Sequence, residues 1–356
     1  MSCGPARRTF SQRCDDREVS EVGAMPGAAW SEAVTDADWL AARLAPFEAH
    51  RVASVVPSGF AAYARVLHPA EDPDHGERLV RWREVAAWSS TELGSGTQFH
   101  AIALPPSEAE GPAPWSGQGP HRGSLYPGDA VVLAGILRRF TSVPERCSFL
   151  LWDGYGITGP KCGDRSSGGL AAPMPRSLRR GLRVHHPGRD YLSYTGPVEA
   201  ISALAVLVGD GQCANLCWPA DRSWCVASEI DLSWTYVAGS TELVEALCAD
   251  GRIEALAASP EGPLTRVEPW VAAWVDSAVT SLLATGQATV STCRGELSAH
   301  LERPGSRRPG ALRTRSRGES GVDSGGTAVL RAADDGELRQ QLEFHLTIAV
   351  IGLVGG

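Results

Sequence analysis

The chain has 356 residues, 43% of them hydrophobic, which is enough for one large domain or two small ones around a sizeable core. Its 33 Lys+Arg against 41 Asp+Glu give a formal net charge of -8, which disfavours non-specific nucleic-acid binding by the whole chain and favours solubility. The nine cysteines are irregularly spaced, the opening MSCGPARRTFSQRCDDREVSE is polar with no apolar signal core, and no run approaches the roughly 20 apolar residues of a membrane helix. A cytoplasmic protein that makes no membrane contact is expected.

Residues 1–34 mix charges with Gly and Pro without periodicity and read as a disordered extension. A first helix is expected from Thr35, with Asp36 and Asp38 in its opening turn, to Pro46. Val52–Val56 and Phe60–His68 flank the turn signal Pro57-Ser58-Gly59 and read as a hairpin. Arg78–Trp82 adds a strand that leads into a short helix through Val85 and Trp88. Pro105–Gly123, with its prolines and glycines, reads as a loop.

In the middle of the chain strands and helices alternate. Val132, Leu133, Ile136, Leu137 and Phe140 recur at spacings of three and four, predicting a helix over Pro127–Phe140. The continuous apolar run Cys147–Trp152 predicts a strand buried on both faces. Ile157–Gly181 is loop by composition, Tyr191–Tyr194 resumes a strand, and Pro197 opens a helix carrying Ile201, Leu204 and Val208.

The densest pattern runs from Asn215 to Leu247. Trp218-Pro219-Ala220-Asp221 predicts a chain reversal, and the alternation from Trp224 to Asp231 predicts a strand with one mixed face bearing Glu229 and Asp231. Leu232–Ala238 reads as a loop, Gly239-Ser240 as a helix start and Asp250-Gly251 as its stop, with the glycine left-handed. The resulting fold class is α+β, with a mixed or antiparallel sheet and packed helices in one main domain over 35–260. One more helix is expected over 261–286, where Trp270, Trp274, Ala278 and Leu282 share a face. Residues 287–356, with Arg/Ser/Gly-rich sequence over Arg294–Gly326, read as a mostly disordered tail ending in the short apolar stretch Leu346–Val354.

Three stretches, VPSGFAAYARVLHPA at Val56–Ala70, FLLWDGYG at Phe149–Gly156 and the Asn215–Leu247 segment, together resemble a family of actinobacterial proteins with WDGYG and NLxWPxDRSWCVASEID-type motifs. The resemblance spans roughly Val52 to Leu256 and implies a shared fold. That family has no established activity, so the resemblance implies no catalytic residue. Cys217 and Ala238 stand where members of the family carry tryptophan and glycine.

Eleven tryptophans are the compositional oddity, and each buries about 150–250 Å² when packed. Trp39, Trp82, Trp224, Trp270 and Trp274 read as core. Trp152 and Trp218 each sit at a turn beside an acid, Asp153 and Asp221, and aromatic faces beside carboxylates suit a sugar, a base or a cation. The predicted ligand rim is therefore Trp152, Asp153, Tyr155, Trp218, Asp221, Glu229 and Asp231. Its carboxylates could instead serve a hydrolase, with or without a divalent metal.

Other chemistries find little support. Gly154–Cys162 departs from a phosphate loop because Pro160 removes an N–H and Cys162 replaces the hydroxyl. Cys213, Cys217, Cys225 and His185-His186 lack the paired spacing of a zinc site and read as buried thiols and ordinary histidines. No G-x-S-x-G or HExxH occurs. No cofactor or metal is expected. Arg303, Arg307, Arg308, Arg313, Arg315 and Arg317 form a basic stretch for non-specific phosphate contacts at most, since no aromatic residue interleaves them. The expected function is binding of a protein or small ligand, with the carboxylate hydrolase as the alternative.

Overall fold

The computed structural model describes residues 27–355 except 32, 47–48, 73–77, 104–114, 116, 156–182, 187–188, 203–212, 265–268, 293–294, 305–309, 319–322 and 331–333. The fold is α+β. Its larger part is a nine-stranded sheet, built from β1 (Ala29–Trp30), β2 (Ala62–Leu67), β5 (Cys147–Trp152), β6 (Val184–His186), β7 (Arg189–Gly196), β8 (Leu216–Pro219), β9 (Cys225–Ser228), β10 (Trp234–Gly239) and β11 (Ala255–Ala258). The order is β1-β7-β5-β8-β9-β10-β2-β11, with β6 beside β7, and every pairing is antiparallel. A small hairpin joins β3 (Ala70–Asp72) to β4 (Arg78–Val80).

Both faces of the large sheet are covered. On one lie α4 (Pro127–Leu137) and α5 (Thr241–Ala249), packed on Val66, Phe149, Leu151, Val226 and Val237. On the other lie α1 (Asp38–Ala41), α2 (Trp82–Trp88) and α3 (Phe99–Ala103), packed on Tyr63, Leu67, Leu150, Trp234 and Tyr236. Period-two alternation is therefore lost where the sheet is deepest, and β8, β9 and β10 are buried at every residue. Ser240 caps α5 by accepting from Leu243 N at 3.3 Å, as its sequence predicts.

Several expectations are corrected. Leu232–Ala238 is not a loop: Trp234–Gly239 is β10, paired with β9 and β2, its aromatic and β-branched residues filling both faces. Val52–Ser54 is a 3-10 turn, so Ala62–Leu67 forms no hairpin with it and pairs instead with β10 and β11. The N-terminal extension contributes β1, whose Ala29 and Trp30 pair with Thr195 and Tyr194. Gly251 is not among the left-handed glycines, and Asp250 ends α5. The expected loop over Ile157–Gly181 lies outside the described residues, as do most of the Pro105–Gly123 loop and most of the helix after Pro197.

The largest correction concerns the tail. After α6 (Pro269–Thr285), closed by the left-handed Gly286 (φ 78°), the chain forms β12 (Gln287–Thr292), β13 (Gly295–Glu302), β14 (Gly310–Gly318) and β15 (Asp323–Leu330), a four-stranded antiparallel meander. α7 (Asp335–Gly355) follows and absorbs the apolar C-terminal stretch. Leu297, Leu301, Leu312 and Leu330 meet Val279, Leu282, Leu338, Leu342 and Leu346 of the two helices in a separate core. The composition is poor in apolar residues because only one face of this sheet is covered. Among the described residues no helix is long and apolar enough to cross a membrane.

Glu254 links the β2–β11 edge to α2. It is 2% exposed, and its carboxylate accepts from Trp82 N at 2.6 Å, Arg83 N at 3.1 Å and Arg83 Nε at 2.8 Å. A buried acid thus satisfies orphan donors at the start of a helix 172 residues away in sequence. Glu254→Ala strands those donors and is expected to destabilise the protein by about 3 kcal/mol. Glu254→Gln keeps an acceptor and should lose less, and urea unfolding at pH 7 compares the two.

Candidate functional site

Register decides how the predicted rim is distributed. Ser148 pairs with Trp218 at the start of β5, whereas Trp152 ends the same strand opposite Tyr191. Four residues at about 3.3 Å each place the two indoles about 13 Å apart along the sheet. The chain reversals bearing Asp153 and Asp221 therefore lie at opposite ends of β5, and the seven residues do not form one rim.

At the lower end Trp218 is 2% exposed and packs edge-on against Trp39 at 5.7 Å, so it belongs to the core. Asp221 is exposed, but both its oxygens are engaged. Oδ2 accepts from Thr141 Oγ1 (2.8 Å), Ser142 N (2.9 Å) and Ser142 Oγ (2.9 Å), and Oδ1 from Ser223 N (3.1 Å) and Ser223 Oγ (2.8 Å). Partial burial raises the carboxyl pKa, but the hydrogen bonds from Ser142, Ser223 and Thr141 outweigh it and bring the value to about 2. Asp221 is a staple between the β8–β9 turn and the segment before β5.

At the upper end the structure brings Trp152, Asp153, Glu229 and Asp231 together with two arginines that sequence reasoning missed. Arg189 Nη2 donates to Glu229 Oε1, and its guanidinium carbon lies 5.0 Å from the centre of the Trp152 ring. Arg183 Nε donates to Asp153 Oδ2 at 2.9 Å. Asn215 ties the strand ends together: its Oδ1 accepts from Trp152 N at 2.8 Å and its Nδ2 donates to Ser228 O at 3.2 Å. Burial raises the Glu229 pKa, Arg189 lowers it and exposed Asp231 raises it again. Arg189, Tyr191, Asn215, Ser228 and Glu229 line a cavity of about 30 Å³, room for a water or two. Tyr155 lies in the short 3-10 turn after β5.

The arrangement does not favour carboxylate hydrolysis. That chemistry needs two acids facing a shared substrate, whereas Asp153 and Asp221 are separated and Glu229 is buried against a cation. Cys147, Cys213, Cys217 and Cys225 are buried free thiols, and burial pushes the Cys147 thiol up to about 12. His185 Nδ1 lies 2.6 Å from Asp190 Oδ1. Among the described residues no three His, Cys, Asp or Glu converge as a metal site. The Gly154–Cys162 segment lies almost wholly outside the described residues.

A larger concavity lies on the uncovered face of the second sheet. Register places Gln287, Thr289 and Ser291 of β12, Glu296, Ser298 and His300 of β13, and Arg313, Arg315 and Arg317 of β14 on that face. Within it a groove of about 290 Å³ is lined by Gln287, Thr289, Ser298, His300, Arg313 and Arg315, with backbone between them, and by no acid. Glu302 reaches Arg313 Nη2 at 3.1 Å from outside the groove, and Ser298 Oγ donates to Arg315 O at 3.3 Å. The signal was present in the sequence: Arg313, Arg315 and Arg317 recur at a period of two, the mark of one strand face.

No family model, no curated protein and no solved structure matches the chain.

A pH-dependent prediction follows for Asp221. Because its folded pKa is depressed from 3.8 to about 2, its stabilising contribution is complete above the unfolded value and is lost as pH falls through the folded one. Asp221→Asn is expected to lower the melting temperature at pH 7, with the gap from wild type closing between about pH 4 and pH 2. Melting curves across that range check it; a gap that stays constant would exclude the ionised carboxylate as its source.

Proposed function

We propose that the protein is a binding module whose ligand is a small, multiply charged oxyanion, taken up in the groove on the open face of the second sheet. One observation carries this reading: a concavity of about 290 Å³ whose ionisable lining is Arg313, Arg315 and His300, with hydroxyl and amide groups between them and no carboxylate. Successive outward residues of a strand stand about 7 Å apart, so Arg315 and Arg313, the latter beside its Glu302 pair, can each meet one of two anionic groups of one ligand. Arginine forks match phosphoryl and carboxylate oxygens, while Thr289 and Gln287 can donate to the atoms between. A cytoplasmic location belongs to the same reading and is supported by the free thiols of Cys147, Cys213, Cys217, Cys225 and Cys248.

The test uses inorganic pyrophosphate as the probe, titrated calorimetrically into the full chain. Saturable binding is expected, weakening as salt is added because the groove is open to solvent. The exposed pair Arg313→Ala/Arg315→Ala should lower affinity at least about tenfold while leaving the melting temperature near that of wild type. Absence of saturable heat in wild type, or equal affinity in the double variant, overturns the proposal.

A further inference from the structure

Arg65 is the least expected residue of the core. It stands in the middle of β2, opposite Tyr236 of β10 and Leu256 of β11, and is 2% exposed. Its guanidinium carbon lies 3.8 Å from the centre of the Trp234 ring and 5.2 Å from that of Trp82, in the corner where these indoles meet at 84°. Nη1 donates to Thr97 O at 2.7 Å and Ser95 O at 3.1 Å, holding down the turn that passes over it. Among the described residues no carboxylate shares these contacts. Nε and Nη2 are buried and make no hydrogen bond to any described residue.

A buried cation needs its charge balanced and its donors filled. Two indole faces and two carbonyls satisfy one side of this one. Nε and Nη2 are the adjacent pair whose N–H bonds run parallel, the side-on fork that accepts two oxygens of one oxyanion.

We propose that Arg65 anchors an internal site for a small monocarboxylate, which accepts both bonds of the Nε/Nη2 edge while its apolar part lies against Trp82, Trp234 and Phe99. Charge balance selects the class. One carboxylate neutralises one guanidinium, whereas a phosphate dianion would leave an unbalanced charge among aromatic rings. Because the turn at Ser95–Thr97 is tied through Nη1 alone, the ligand takes the other edge without displacing it. This site is independent of the groove on the second sheet: it stands on another sheet and on another arginine.

Acetate and inorganic phosphate, titrated separately at constant ionic strength into the full chain and read by tryptophan fluorescence, test the proposal. A saturable response to acetate and none of the same midpoint to phosphate is expected. Arg65→Lys keeps the charge and loses the fork, and should weaken acetate at least about tenfold. Arg313→Ala/Arg315→Ala should leave the acetate response within about twofold, within the range in which distant sites act independently. Should Arg65→Lys fail to fold, the arginine Nε–H resonances of wild type, followed by NMR during the acetate titration, replace it, with one buried resonance moving saturably. No saturable acetate response, an unchanged one in Arg65→Lys, phosphate binding at the same midpoint, or no moving Nε–H resonance would each overturn the inference.

Discussion

A nine-stranded sheet covered on both faces leaves its polar groups nowhere to go but to each other, and that constraint shapes the larger part of the molecule. β10 is buried along its whole length, so Thr235 cannot reach water. It lies instead in a chain in which His68 Nε2 meets Thr235 Oγ1 at 2.9 Å and Thr235 Oγ1 meets Ser228 Oγ at 2.7 Å, while His68 Nδ1 faces His121 O at 2.7 Å. Burial pushes the His68 pKa down to about 4, so the ring is neutral near pH 7 and one nitrogen accepts while the other donates. Trp82 Nε1 closes the set by donating to His68 O at 2.7 Å. Polar residues in these strands are stitches between neighbouring strands, and Asn215 plays the same part further along.

The same constraint explains which parts of the sequence were legible. Segments that meet a single environment announce themselves: Pro127–Leu137 by its helical period, Cys147–Trp152 by an unbroken apolar run and Thr241–Ala249 by its serine cap. WTYVAG at Trp234–Gly239 has no alternation, because Trp234 and Tyr236 fill one face while Thr235 and Val237 fill the other, and it lies too close to a turn to stand out. β2 resembles a hairpin partner of the preceding residues only while its true partners, far along the chain, are unseen. The C-terminal strands failed the opposite way. With one face in water, ALRTRSRG shows too few apolar residues to look like structure, although its arginines alternate strictly.

The rim anticipated from turn-edge tryptophans shows why pairing register matters more than local resemblance. Trp152-Asp153 and Trp218–Asp221 look alike in sequence, yet β5 and β8 are antiparallel, so the end of one strand lies beside the beginning of the other. Similar turns that follow antiparallel neighbours fall at opposite ends of a sheet. What gathers at the upper end is a set of closed ion pairs, Arg189–Glu229 and Arg183–Asp153, both partly or largely withdrawn from solvent. Pairs so placed fix strand ends and carry little capacity for chemistry, since each acid already has its cation.

The two arginine environments proposed to hold anions differ in the one property that governs anion binding, the dielectric around the charge. Arg313 and Arg315 stand in water, where an attraction at a few ångströms is worth about 1 kcal/mol and is screened within about 8 Å at physiological ionic strength. Affinity there has to come from several contacts acting at once, which a concave groove with two arginines and two neutral donors can supply. Arg65 stands among indoles, where a single pairing is strong but only a matched charge is tolerated. Many charges in the open and one charge in the core are two separate solutions to holding an anion. The fold keeps them apart because the large sheet is covered on both faces and the second sheet on one.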